Sequence, residues 1–267
     1  MRMTSEPRTV LALCAHPDDA EFRCGGTLLL LARRGWRVHI CAVGAGDCGS
    51  AEESPNAISR RRRAEAQQAA ARLGGEFHCL EANDLRIFDE DGLRAKAVAL
   101  MRRLDPDCVI THYPVDYMPD HEAASAIARA VVFCAGMPNY TVGPAVSLPP
   151  TTKGVVPLYY FHGPFGGLDY LGNPTAPAHF YVDITTVEEE KAELLACHAS
   201  QRQWLRRHHG VDQYLYEMRH WDEETGRLAG VGYAEGFFCH RGHAFSRAPL
   251  IQEALADLVV APREAGR

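Results

Sequence analysis

Apolar residues in the first half of the chain gather into short, dense runs separated by stretches with a helical beat. Thr9-Val-Leu-Ala-Leu-Cys-Ala15 is almost continuous, as expected of a strand buried on both faces of a sheet. Residues 24–34 read as a helix opened by Gly25-Gly26, and residues 37–43 as a second strand. A helix over 58–73 is stopped by Gly74-Gly75, and a short strand over 76–80 follows. A helix over 93–104 ends at Asp105-Pro106, residues 107–112 form a fourth strand, and residues 121–134 the next helix. This alternation predicts an α/β fold: a Rossmann-like, doubly wound, mostly parallel sheet with helices on both faces. Such sheets bind ligands at the carboxyl ends of their strands. Residues 16–21, 44–49 and 112–121 lie at such ends and are expected to converge.

The second half is less regular. Residues 136–157 are rich in Pro, Gly and Thr and read as a long loop or lid. Strands are expected at 158–161 and 180–183 and one helix over 187–207, with acidic residues 188–190 at its start and Arg206-Arg207 at its end. Residues 211–245 mix aromatics, charges and histidines. With no internal repeat, the expectation is one domain over 1–267: an α/β core over 1–135, then a lid loop and C-terminal elaboration over 136–267.

Composition narrows the function classes. Hydrophobic residues make up 46% and charged residues 23% of 267, ordinary for a globular protein, and the net charge of -6 argues against nucleic-acid binding. No apolar run approaches the roughly 20 residues of a membrane span, and no signal peptide is legible. The 9 cysteines are odd in number and form no C-x-x-C pair, which suggests free thiols in a reducing cytoplasm. Whether the chain forms a homo-oligomer is not legible.

The strongest local signal is Ala15-His-Pro-Asp-Asp-Ala-Glu-Phe22, directly after a buried strand. His16 and Asp19 are close enough for one tight turn to supply two metal ligands, while the adjacent acid can handle a proton. Helix capping by Asp18 or Asp19 is the plainer alternative. Thr111-His-Tyr-Pro-Val-Asp-Tyr-Met-Pro-Asp-His-Glu122 brings two histidines and two aspartates to the same sheet edge. A catalytic zinc site needs three protein ligands and an open position, which His, Asp and His would meet. His112 alone reads as a packing histidine at a strand end, and Asp120 as a cap or a partner of a ligand.

Together these segments resemble the LmbE-like (PIG-L) N-deacetylase superfamily. The resemblance rests on A-H-P-D-D-x-E-F-x-C-G-G-T-L at 15–28, Gly46-Asp-Cys-Gly-Ser50, Arg62-Arg-Ala-Glu-Ala66, Pro119-Asp-His121, His198-Ala-Ser-Gln201 after Lys191, and Tyr233-Ala-Glu-Gly-Phe237, in the family's order. It implies His16, Asp19 and His121 as ligands of a zinc ion, with iron(II) as the alternative, and Asp18 as general base. It implies hydrolysis of an N-acetyl group on an N-acetylglucosaminyl-type small molecule or glycoconjugate, releasing acetate and an amine. A zinc amidase acting on a non-sugar amide and a metal-binding homologue without turnover remain open. Many members carry a histidine where this chain has Met118, and a thioether cannot donate a proton. Either Asp18 also serves as the acid or another histidine substitutes, with His162 the first candidate and His240 the second.

Other signals are weaker. Gly44-Ala-Gly-Asp-Cys-Gly49 matches G-x-G-x-x-G but follows the second strand and opens no helix, so it is read as a substrate loop with Asp47 facing the pocket. Of Arg60 to Arg63, Arg62 is the pocket candidate, and Asp84 is expected near substrate hydroxyls. Tyr159, Tyr160, Phe165, Tyr170 and Tyr181 read equally as sugar-stacking or core residues.

Overall fold

The computed structural model describes residues 6–142, 149–151, 153–163, 171–173, 176–209 (backbone only at 208 and 209) and 213–262. Its centre is one eight-stranded sheet. The chain begins with β1 (Thr9–Cys14), α1 (Asp19–Arg33), β2 (Arg37–Gly44), α2 (Pro55–Arg72), β3 (Glu76–Ala82), α3 (Asp91–Leu104), β4 (Cys108–Thr111) and α4 (Pro119–Cys134). It continues with β5 (Leu158–Phe161), β6 (Phe180–Asp183), α5 (Glu188–Ala196), α6 (Ala199–His209), α7 (Gln213–Ala229), β7 (Ala234–Cys239), α8 (Leu250–Ala254) and β8 (Val259–Val260). The spatial order is β3-β2-β1-β4-β5-β7-β6-β8. The first five strands are parallel, and β7, β6 and β8 extend the sheet antiparallel.

Both faces of β1 are buried, which accounts for its unbroken apolar run. Val10, Ala12 and Cys14 pack under α1 and α2, and Leu11 and Leu13 under α3 and α4. Chain order reverses between β1 and β4, so the crevice beyond their carboxyl ends is the topological switch point of the sheet. Among the described residues no helix is long and apolar enough to cross a membrane.

Two helix expectations are corrected. The first helix begins at Asp19, not at residue 24, but it is kinked: Cys24 has φ -146° and ψ 17°. The kink releases the amides of Gly26 and Thr27, which donate to the buried Glu235 carboxylate at 2.9 and 2.7 Å. Glu235 thus serves as a cap supplied from β7, and Gly25-Gly26 does open a helical segment, the one after the kink. A Cβ on Gly26 would lie 2.7 Å from Ile184, so only glycine admits this approach.

The helix expected over 187–207 is two. It breaks at Cys197-His198, where His198 turns fully inward, 3.3 Å from buried Glu21. The new helix start is capped by Glu65 of α2, whose carboxylate accepts from the Ser200 amide and hydroxyl at 3.0 and 2.6 Å. Helix α7 was not legible in the sequence. Of the aromatics, Tyr159, Tyr160 and Tyr181 are buried, while Phe165, Tyr170 and residues 143–148 and 152 of the expected lid lie outside the described residues.

Candidate active site

A cleft of about 450 Å³ opens at the switch point, lined by the segments after β1, β2, β3 and β4 and walled by α6 and α7. His16 follows β1 directly. Its Nε2 lies 2.9 Å from Asp120 Oδ2, so its other ring nitrogen, Nδ1, is turned towards Asp19 Oδ2 at 3.7 Å. His121 is arranged in the same way: Nδ1 is 3.0 Å from Asp116, and Nε2 is 3.5 Å from Asp19 Oδ1. One donor atom each from His16, Asp19 and His121 falls within 4.8 Å of the others.

This donor set suits a divalent metal. Each histidine has a carboxylate behind it, the arrangement that orients imidazole ligands and raises their basicity. The field also favours a cation. Burial alone would lower the His121 pKa, but Asp19 and Asp116 raise it to about 10. Burial would raise Asp19, yet His121 and His112 hold it well below the usual carboxylate range.

Asp18 occupies the left-handed region, with φ 114° and ψ -25°, a conformation that costs a non-glycine residue on the order of 1–3 kcal/mol. It is held from both sides. Its carbonyl accepts the Phe22 amide at 2.9 Å, and the preceding Pro17 carbonyl accepts Arg62 Nη2 at 2.7 Å. Tyr214 Oη donates to Asp18 Oδ2 at 2.6 Å, and Arg62 Nη2 donates to the same oxygen at 3.2 Å. Both bonds land on Oδ2. Burial pushes the Asp18 carboxyl above its ordinary value against the pull of Arg62.

The G-x-G-x-x-G glycines admit side chains, not phosphates. A Cβ on Gly44 would meet Asp84 at 2.8 Å, one on Gly46 would meet Arg62 at 2.8 Å, and one on Gly49 would meet Gln201 at 2.6 Å. Arg62 threads past these glycines from α2 to reach Asp18. Asp84 lines the cleft, but its two oxygens accept the Gly46 and Cys48 amides at 2.9 and 3.2 Å.

Two expected site residues sit elsewhere. Asp47 does not face the cleft, because its oxygens accept from Asn83 Nδ2 and the Asp84 amide, both at 2.7 Å, pinning the loops after β2 and β3 together. The His162 ring packs against Tyr181 and Phe238 at 5.8 and 5.7 Å and is not among the cleft-lining side chains. It follows β5, an interior strand, and its amide donates to the Gly236 carbonyl of the neighbouring β7. His240 hydrogen-bonds Tyr160 at 2.6 Å and also lies outside the cleft lining.

Three cleft residues escaped the sequence reading. His112 is a central one: its Nε2 is 3.1 Å from Asp19 Oδ2, and its ring stacks on His121 at 4.1 Å. Burial and the neighbouring His121 lower its pKa to about 4, which keeps it neutral. Its position at the end of β4, at the switch point, was the available signal. Asp116 sits four residues on, in the same loop. Tyr214 carried no signal, because it arrives from α7, 196 residues away from Asp18.

A model of the family described as PIG-L, GlcNAc-PI de-N-acetylase, matches residues 11–132. A diacetylchitobiose deacetylase of Thermococcus kodakarensis is 28% identical over 246 residues, covering 87% of this chain and 83% of its own. A 4-oxalmesaconate hydratase of Pseudomonas putida is 25% identical, covering 74% and 76%. Among solved structures, the N,N'-diacetylchitobiose deacetylase of Pyrococcus horikoshii superposes with a TM-score of 0.75 at 24% identity, covering 92% of this chain and 89% of that one, a likeness of fold.

Proposed function

We propose, for a chain that belongs to the PIG-L (LmbE-like) superfamily, that it is a metal-dependent N-deacetylase acting on an N-acetylated amino sugar or glycoconjugate. The observation that carries this reading is the adjacency of the His16–Asp19–His121 donor set and the buried Asp18 carboxylate in one cleft. A divalent metal held there, zinc or iron(II), both of which two histidines and one carboxylate can hold, would polarise an amide carbonyl and lower the pKa of a water, to about 7 for zinc.

The chain's own residues supply the rest. Asp18 takes the proton of the attacking water, and its raised pKa suits a base that must hold that proton afterwards. Arg62 and Tyr214 fix the carboxylate through Oδ2, which leaves Oδ1 to take the proton. With Met118 unable to donate and His162 packed against Tyr181 and Phe238, the proton required by the departing amine comes from Asp18 itself. Acetate and a free amine are the products. Asp120 and Asp116 hold the two histidine ligands in the required tautomers.

The hydratase relative offers a second chemistry on the same scaffold. Its substrate, 4-oxalmesaconate, is a carboxylate anion, whereas the cleft of this chain is lined by Asp18, Asp19, Asp84, Asp116 and Glu217 against Arg23 and Arg62. That balance favours an uncharged sugar amide. The nine free thiols fit a reducing compartment, and we place the enzyme in the cytoplasm as a single domain built on one sheet.

The test is release of amine and acetate from a panel of N-acetylglucosaminyl compounds, by metal-loaded and chelator-stripped protein. Metal-dependent release is expected. No release from any member by the loaded protein would move the reading to a non-sugar amide, to hydration, or to a homologue without turnover.

A further inference from the structure

Remote from the cleft, β2 and β3 carry a second group of donors at the other end of their strands. Glu76 and His78 are two residues apart on β3 and so share one face of the sheet. His39 on β2 stands directly opposite Glu76 in the parallel register, on that same face. Three donors from two strands thus point the same way, at the sheet edge that β3 forms.

We propose that His39, Glu76 and His78 form a second divalent-cation site, one that clamps the edge strand β3 to β2. His39 Nδ1 lies 3.1 Å from His78 Nε2 and 3.8 Å from Glu76 Oε2, and the latter two atoms are 4.0 Å apart. The circle through three atoms with those separations has a radius of about 2.1 Å, within the roughly 2.0–2.2 Å range of zinc–nitrogen and zinc–carboxylate bonds. A cation near its centre would lie at bonding distance from all three donors.

The surroundings are compatible. Burial holds both imidazoles below their ordinary pKa, which keeps them unprotonated as metal ligands must be. His39 is 8% exposed and rigid in the sheet, while Glu76 is exposed, so a cation has a way in. Arg37 and Arg103 lie within electrostatic reach and oppose a cation, and Glu76 offsets them. The remaining group of this kind outside the histidine cluster, Asp47–Cys48–Asp84, has its carboxylate oxygens engaged by backbone amides and Asn83. Among the described residues, no backbone amide donates to the side chains of His39, Glu76 or His78. Without a cation the two rings can only share one N–H between them, and Glu76 stays beyond hydrogen-bond distance.

Bound metal would tie the outermost parallel strand to its neighbour and place a charged cap on an edge that would otherwise be open to pairing. The site is independent of the deacetylase reading and survives its failure.

The experiment is titration of chelator-stripped, dialysed protein with zinc sulfate in competition with a chromophoric chelator. Wild type is expected to bind about two equivalents, His78→Gln about one, His121→Ala about one, and the double variant His121→Ala/His78→Gln none. Glu76→Gln, at an exposed position that leaves the fold intact, should weaken the second equivalent about tenfold or more. In His121→Ala, zinc should also slow amide exchange in β3. One equivalent in both wild type and His78→Gln would overturn the proposal and leave a hydrogen-bonded histidine pair. An equivalent that persists in the double variant would also overturn it, by assigning the metal to other donors.

Discussion

The parallel half of the sheet and its antiparallel extension contribute to the cleft in different ways. Every donor of the proposed metal set, and the proposed base Asp18, lies between the end of β1 and the first turn of α1 or in the first turn of α4, within the first 121 residues. The extension supplies none of these. Its strand β7 sends Glu235 to cap the kinked α1, and the helices between β6 and β7 send Lys191 to neutralise Glu235 and Tyr214 to hold Asp18. One region carries the chemistry and the other carries the aim. A residue can therefore be decisive for the site while bearing none of the reacting groups.

Four substitutions would break or sharpen that contrast. The largest effect is expected from His121→Ala, which removes a donor of the parallel half: the cleft's equivalent of metal should be lost on dialysis and turnover should fall to background. Unchanged metal content by elemental analysis would show that another residue, with His112 the nearest, is the third ligand. Next is Asp18→Asn, for which kcat should drop about 10²–10⁴-fold with metal still bound. Full activity would remove Asp18 as the base.

In the extension, Lys191→Met should act on stability. Lys191 is fully buried, with Nζ 2.8 and 2.7 Å from the two Asp222 oxygens and 2.8 Å from Glu235. Breaking such a group strands two carboxylates and costs about 3–5 kcal/mol, readable by urea denaturation. A variant as stable as wild type but inactive would move Lys191 from scaffold to chemistry. The smallest effect is expected from Tyr214→Phe, which deletes one hydrogen bond to a charged oxygen, worth about 1.5–3 kcal/mol. A drop in kcat of about tenfold, with KM and metal content unchanged, is the expected result. A change confined to KM would instead assign Tyr214 to substrate binding.

The difference between the regions also explains what was legible. His16, Asp18 and Asp19 lie on one turn next to a buried strand, and His121 lies on the first turn of a helix after another, so local pattern and strand order sufficed to bring them together. In the sequence His112 reads as packing, because a histidine at a strand end usually is. Its engagement depends on β4 lying beside β1, where its Nε2 meets both the Ala15 amide and Asp19. His162 also ends a strand, which makes it a candidate in the sequence, but β5 borders the antiparallel β7, and the ring packs on aromatics and does not line the cleft. Asp47 sits in the right loop, yet one loop's carboxylate facing another's amide is invisible until both are folded.

By itself, the sequence determined the doubly wound sheet and the edge at which ligands gather, because both depend on periodicity within single elements, while the choice of donors came from the resemblance of its motifs to a family. Only the tertiary structure decided which partners those donors take. Asp120 behind His16, Tyr214 on Asp18 and Glu235 under the kink of α1 are contacts between residues 104, 196 and 209 positions apart. No local propensity encodes such pairings. They exist because burial obliges each polar group to find a partner wherever the packed chain brings one within reach.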